Sequence, residues 1–274
     1  MATRLYYDYN FPIGVTPAFD AAWDVTASAV RIRLSTQKND PGSALASQAV
    51  ATTGNSPAGA SDVLMVQATS EPIASNVTIS GNIKGYIRTQ ESNVAADMRS
   101  QCVIWVMKPD GTNRGTLTGP DASALASEWT TALTNRKMPL GSPVTPTSVA
   151  AVAGDRLVVE IGFRKHENAT TSRTGTISVG SPTGTDVAED ETGTAANVPW
   201  IEFADTITFK TGAILSQGPV EAVILPTSQK GRLSQAAVEA VILPTSQTAR
   251  LSQMPVEVVI KNIRQRRNKV WWIG

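Results

Sequence analysis

Residues 76–88 read NVTISGNIKGYIR, and this stretch decides the fold class. Val77, Ile79, Ile83 and Ile87 fall on one side of an extended chain. Thr78, Ser80, Asn82, Lys84 and Arg88 fall on the other. An alternation of period two is the mark of a half-buried β-strand. Gly81 and Gly85 land on the apolar side, which points to close backbone approach or a bulge.

The same pattern recurs outward from here. Residues 29–34 (AVRIRL) alternate apolar and basic, and residues 62–69 (DVLMVQAT) form a further strand candidate. Residues 101–108 (QCVIWVMK) are apolar on both faces, as a central strand must be. The Pro109-Asp110-Gly111 turn signal then leads to a hairpin partner at 114–118. In residues 156–165, Leu157, Val159, Ile161 and Phe163 point inward. Residues 174–179 and 200–209 complete the series, and residues 35–61 read as loop. Residues 121–133 are expected to form the only helix, capped by Asp121, with Leu125, Trp129 and Leu133 as a lid stripe. The pattern predicts an all-β chain: an antiparallel β-sandwich, jelly-roll-like, over residues 25–211. Residues 1–24 read as an N-terminal arm, with Tyr6, Tyr7, Tyr9, Phe11, Phe19 and Trp23 anchoring it and Pro12 and Pro17 excluding a regular helix.

Residues 212–274 are of another kind. LSQGPVEAVILPTSQKGR (215–232) is followed by LSQAAVEAVILPTSQTAR (233–250) and by LSQMPVEVVIKNIRQRR (251–267), a period of 18 residues without insertion. Internal repeats take precedence in deciding architecture. Each copy has a β-branched run holding one acid, Glu221, Glu239 or Glu257. One such unit cannot bury itself and must stack on an equivalent. The segment is therefore expected to be a β-repeat oligomerisation or attachment segment; the plainer alternative is a β-meander packed on the sandwich. The expected assembly interface comprises Val220, Ala222 and Ile224; Val238, Ala240 and Ile242; Val256, Val258 and Ile260; and the tail residues Trp271 and Trp272. The glutamates are expected at its rim or facing Arg232 and Arg250 across strands.

Composition narrows the chemistry. The net charge of +1 gives no field suited to nucleic acid. The basic tail (Lys261, Arg264, Arg266, Arg267, Lys269) is read as docking on a neighbouring subunit. One Cys (Cys102) and one His (His166) exclude an internal disulfide framework and are too few for a His/Cys zinc site. His166 reads as a loop residue, so no catalytic residues and no cofactor or metal are expected. The acidic loop carrying Asp186, Glu189, Asp190 and Glu191 is the one candidate for calcium, a hard cation bound by oxygens. No apolar run approaches a membrane span and no signal peptide is visible at the start.

Two sets of motifs carry a resemblance. Pro17-Ala18-Phe19-Asp20 and Trp23-Asp24 leading to Ser28-Ala29-Val30-Arg31, together with the repeated Arg-Leu-Ser-Gln and Val-Glu-x-Val-Ile units, resemble virion proteins of tailed bacteriophages. The resemblance covers the first thirty or so residues and the last sixty. It implies a non-enzymatic virion structural protein (fibre, spike, neck, baseplate or head decoration), made in the host cytoplasm. Its partners would be itself, with a trimer favoured, and other virion proteins. The alternative is a carbohydrate-binding module for a host-surface glycan, which would need exposed aromatics. A depolymerase has the least support.

Overall fold

The computed structural model describes residues 1–8, 15–38, 46–52, 61–120, 128–139, 143–165, 172–179, 184–195 and 197–210, and the repeat strands 220–224, 232–233, 238–242, 250–251 and 258–259. The chain divides into two compact units, Met1–Thr211 and Gly212–Gly274.

The first unit is all β. Its strands in chain order are β1 (Thr3–Asp8), β2 (Val30–Ser35), β3 (Ala46–Thr52), β4 (Ser61–Ser70), β5 (Val77–Ile79), β6 (Ile83–Glu91), β7 (Met98–Met107), β8 (Asn113–Thr118), β9 (Thr134–Lys137), β10 (Val149–Ala151), β11 (Arg156–Lys165), β12 (Arg173–Val179) and β13 (Trp200–Phe203). One eleven-stranded sheet runs β3-β12-β6-β13-β1-β2-β4-β11-β7-β8, with β9 on β6; β5 and β10 pair separately. Leu5, Leu34, Ile87, Ile104, Phe163, Ile177 and Ile201 come from all along this order and share one buried cluster. The sheet therefore curls around a single core, giving the sandwich-like fold. Pairing is antiparallel except between β2 and β4, which run parallel.

The alternation in 76–88 holds: Ile79, Ile83 and Ile87 are fully buried, and Val77 packs against the same core. It serves two strands, broken at Gly81. Gly85 is where two backbones meet β6 from either side. A Cβ there would lie 2.5 Å from the Met138 carbonyl and 2.7 Å from that of Trp200. Leu157, Val159, Ile161 and Phe163 of β11 all enter the core.

A bulge sets the phase of β4. Ile161 pairs with Val66 and Gly162 with Leu64, leaving Met65 as the extra residue. Val63 before the bulge, Met65 at it, and Val66 and Ala68 after it thus all reach the main core, although their parities differ. Leu64 turns to the outer face, where it joins Trp23, Val103, Trp105, Met107 and Val158 in a second cluster.

Three expectations are corrected. Residues 1–24 are not an arm throughout: β1 lies in mid-sheet between β13 and β2, with Leu5 and Tyr7 in the core. Only the following stretch, with Val15, Phe19, Ala22 and Trp23, is a strap over the outer face. Residues 35–61 include β3, which pairs with β12 along its whole length. Its Ala, Ser and Thr residues give little β signal, as an edge position allows. Residues 121–127 of the expected helix lie outside the described residues, and 128–133 are not helical. Glu128 bridges to Arg99 of β7. Trp129 fills the core instead of lidding it, edge-on to Phe163 at 5.4 Å, with its indole N–H donated to Ser100 Oγ at 3.0 Å.

Candidate functional site

The repeats are built as parallel coils. Strands β14 (Val220–Ile224), β16 (Val238–Ile242) and β18 (Val258–Val259) form one parallel sheet in that order. Strands β15 (Arg232–Leu233) and β17 (Arg250–Leu251) form a second. Every pair is offset by one sequence period: Val220 opposite Val238, Ala222 opposite Ala240, Ile224 opposite Ile242, Ala240 opposite Val258. A meander would give antiparallel neighbours. A parallel pair needs a crossover, and here the crossover carries the second short strand. The chain thus winds once per repeat, with equivalent residues stacked on equivalent residues.

Of the residues expected at the assembly interface, Val220, Ala222, Ile224, Val238, Ala240, Ile242 and Val258 lie in the stacked sheet. Val256, Ile260, Trp271 and Trp272 lie outside the described residues, as do Glu257 and the basic tail. Within one chain the register sets like positions opposite like. Glu221 is opposite Glu239 in one sheet, and Arg232 is opposite Arg250 in the other.

In the first unit, the polar clusters have structural partners. Asp186 of the acidic loop accepts from Arg4 Nη1 at 2.7 Å and pairs with Lys38 Nζ at 2.7 Å. Glu189 pairs with Lys84 Nζ at 2.7 Å, and Asp190 accepts from the Gly193 N–H at 2.6 Å. Hydrogen bonds from the Gly193 and Thr192 amides hold the Asp190 pKa below the usual range. These carboxylates are thus taken up in tying the loop to the sheet. Arg4 also lies 3.9 Å over the Trp200 ring, whose indole N–H donates to the Val187 carbonyl at 2.8 Å. Among the described residues no three His, Cys, Asp or Glu side chains gather as a metal ion would require. His166 lies outside them, and Cys102 is buried on β7. No helix among the described residues is long and apolar enough to cross a membrane.

Among the buried carboxyls that sequence reasoning missed are two glutamates. Glu160, on the outer face of β11, accepts from Trp23 Nε1 at 2.7 Å and Gln67 Nε2 at 2.8 Å, and from the Asp20 N–H. Burial pushes its pKa up, while those donors pull the other way. It pins the strap to the sheet. Glu91 is wholly buried at the end of β6 and accepts from the Met98 N–H at 3.2 Å. Burial pushes its pKa up to about 7. The Met98 amide opposes that shift, and Glu128 and Asp97 add to it. No local signal marks either residue: the partners of Glu160 come from distant segments, and the burial of Glu91 depends on how the chain between β6 and β7 folds back.

The glycan alternative needs an aromatic platform. Trp105, Trp129 and Trp200 are each at most 3% exposed, and no described aromatic residue is among the exposed large hydrophobics.

No protein-family model matches the sequence, and no curated protein does. Among solved structures, the chain is similar to part of a CocE/NonD family hydrolase from Staphylococcus aureus, with TM-score 0.35 and 10% identity over 75% of this chain and 36% of that one. It is similar to an aminopeptidase from a marine-sediment Thaumarchaeota archaeon, with TM-score 0.33 and 10% identity over 76% of this chain and 37% of that one. VP2 of the infectious bursal disease virus subviral particle matches with TM-score 0.24 and 9% identity over 58% of this chain and 34% of that one. The chain thus spans little more than a third of the length of those structures, and likeness at this level carries no argument about what it does.

Proposed function

We propose that this chain is a non-enzymatic structural protein of a phage virion. Its β-sandwich would be mounted or linked by self-association of the C-terminal repeats. The observation that carries the reading is the parallel, in-register stacking of the 18-residue repeats. A stack of a few identical coils has ends and faces to cover, and a copy of the same chain is the partner that its sequence already matches. The phage-like motifs at both ends of the sequence support the virion as the place of assembly. The polar clusters of the sandwich support a scaffold: Asp186, Glu189, Glu160 and Arg4 hold segments together.

Light scattering on the purified full chain tests this. The expected result is a mass of three chains, held over a wide concentration range. A monomer at every concentration contradicts self-assembly.

A further inference from the structure

The repeat register opposes like charges. Glu221 faces Glu239 in the β14–β16–β18 sheet, and Arg232 faces Arg250 in the β15–β17 pair. Like charges directly opposite one another destabilise paired strands. In neither sheet does the register set a glutamate position opposite an arginine position. Each chain therefore carries an acidic ladder on one sheet and a basic ladder on another. Both ladders climb one strand spacing per coil, about 4.8 Å, and both repeat with the same sequence period.

Two ladders of opposite sign and identical spacing are complementary to each other. Within one chain they belong to different sheets. We propose that a second copy of this chain docks side by side on the repeat unit, its acidic ladder (Glu221, Glu239) set against the neighbour's basic ladder (Arg232, Arg250). The inference rests on reading the repeats as the assembly segment and adds which surfaces meet. A copy is a better fit than an unrelated partner because the coil rise that spaces one ladder also spaces the other. The match needs no separate adjustment. The two surfaces differ, so the contact is head-to-tail around an axis and closes into a ring when the rotation allows. Ion pairs at a solvated surface contribute modestly to affinity. Their part is to fix the level at which coils of neighbouring chains align and to reject shifted or inverted neighbours.

The test is charge reversal on the full chain, read by light scattering with the sandwich's own thermal transition as the check on folding. One variant carries Glu221→Lys and Glu239→Lys, with Glu257→Lys included because it continues the sequence period. A second carries Arg232→Glu and Arg250→Glu. A third carries both sets. The first two should need at least tenfold higher concentration to associate, and the third should recover association. The unsubstituted oligomer should also weaken as salt is raised to about 1 M, where the screening length falls to about 3 Å. Association unchanged in the first two variants, or an oligomer indifferent to salt, overturns the ladder pairing while leaving self-assembly intact. Failure of the third variant to recover, with its sandwich folded, does the same. A full chain that is monomeric before any substitution removes the assembly reading itself.

Discussion

Glu91 shows what a single side chain contributes in this sandwich. Its carboxyl is sealed at the end of β6, against the Met98 amide and close to Glu128 and Asp97, with Arg136 on β9 as the nearby cation. The ordinary pKa is 4.5, and the folded value is about 7. Below pH 4.5 the carboxyl is protonated whether the chain is folded or not, so it makes no difference there. Between the two values the unfolded chain gives up the proton and the folded chain keeps it. Folding must then bear the cost of withholding ionisation, and stability falls as pH rises towards about 7. Glu160 is shifted in the same direction by burial, so it adds to the slope. The expected outcome of Glu91→Gln is a flatter profile of melting temperature against pH across that window, with the gain largest at neutral pH. A profile identical to that of the unsubstituted chain would mean that the carboxyl is not withheld from water. Neither glutamate was legible in the sequence: Trp23 and Glu160 are 137 residues apart, and nothing in a strand's alternation marks its last residue, Glu91, as buried. Gly85 was, since a glycine on the apolar side of a strand has few other reasons to be there.

Among the elements, β1 carries most weight for its length. Leu5 and Tyr7 alternate with Arg4 and Tyr6, a strand pattern that six aromatic residues in one stretch obscured. Because β1 pairs with both β13 and β2, it joins the two halves of the sheet. Deleting residues 1–8 should abolish a cooperative thermal transition. A detachable arm would leave the transition in place with a modest drop. Over residues 128–133 the expected helix gives way to a bridge to β7 followed by the approach to β9, from which the i, i+4 spacing of Trp129 and Leu133 arises. β7 was legible because both its faces are apolar, one turned to the core and one to the strap, and β11 because Leu157, Val159, Ile161 and Phe163 alternate into the core. In the repeats, the in-register pairing makes a prediction at the same scale. Ala222 and Ala240 are direct partners, and adjacent strands bring Cα atoms to about 5 Å, within the range that a disulfide spans. Ala222→Cys with Ala240→Cys should cross-link within one chain under mild oxidation. Ala222→Cys with Ile242→Cys, two residues out of register on the same face, should not. Equal cross-linking of both pairs would rule out a fixed register.

At the scale of the whole molecule, the sequence announces two regimes. Residues up to 211 alternate with period two and vary their composition strand by strand. Residues from 212 repeat themselves every 18. The first regime suits a core that closes on itself, as the shared cluster of buried residues along the curled sheet shows. The second suits stacking, in which each coil presents to the next what the previous coil presented to it. The fold class was legible because both periods are written in apolar residues. The parallel sense was not, since an apolar run of five or six residues reads the same in either direction and only the exact 18-residue repeat hints at coils. The central claim is that assembly resides in the repeat unit. The direct measurement is the solution mass of a chain ending after Gly212, beside that of the full chain. The account predicts a soluble sandwich with its thermal transition retained and the mass of a monomer, while the full chain is oligomeric. A truncated chain that assembles as well as the full one contradicts it.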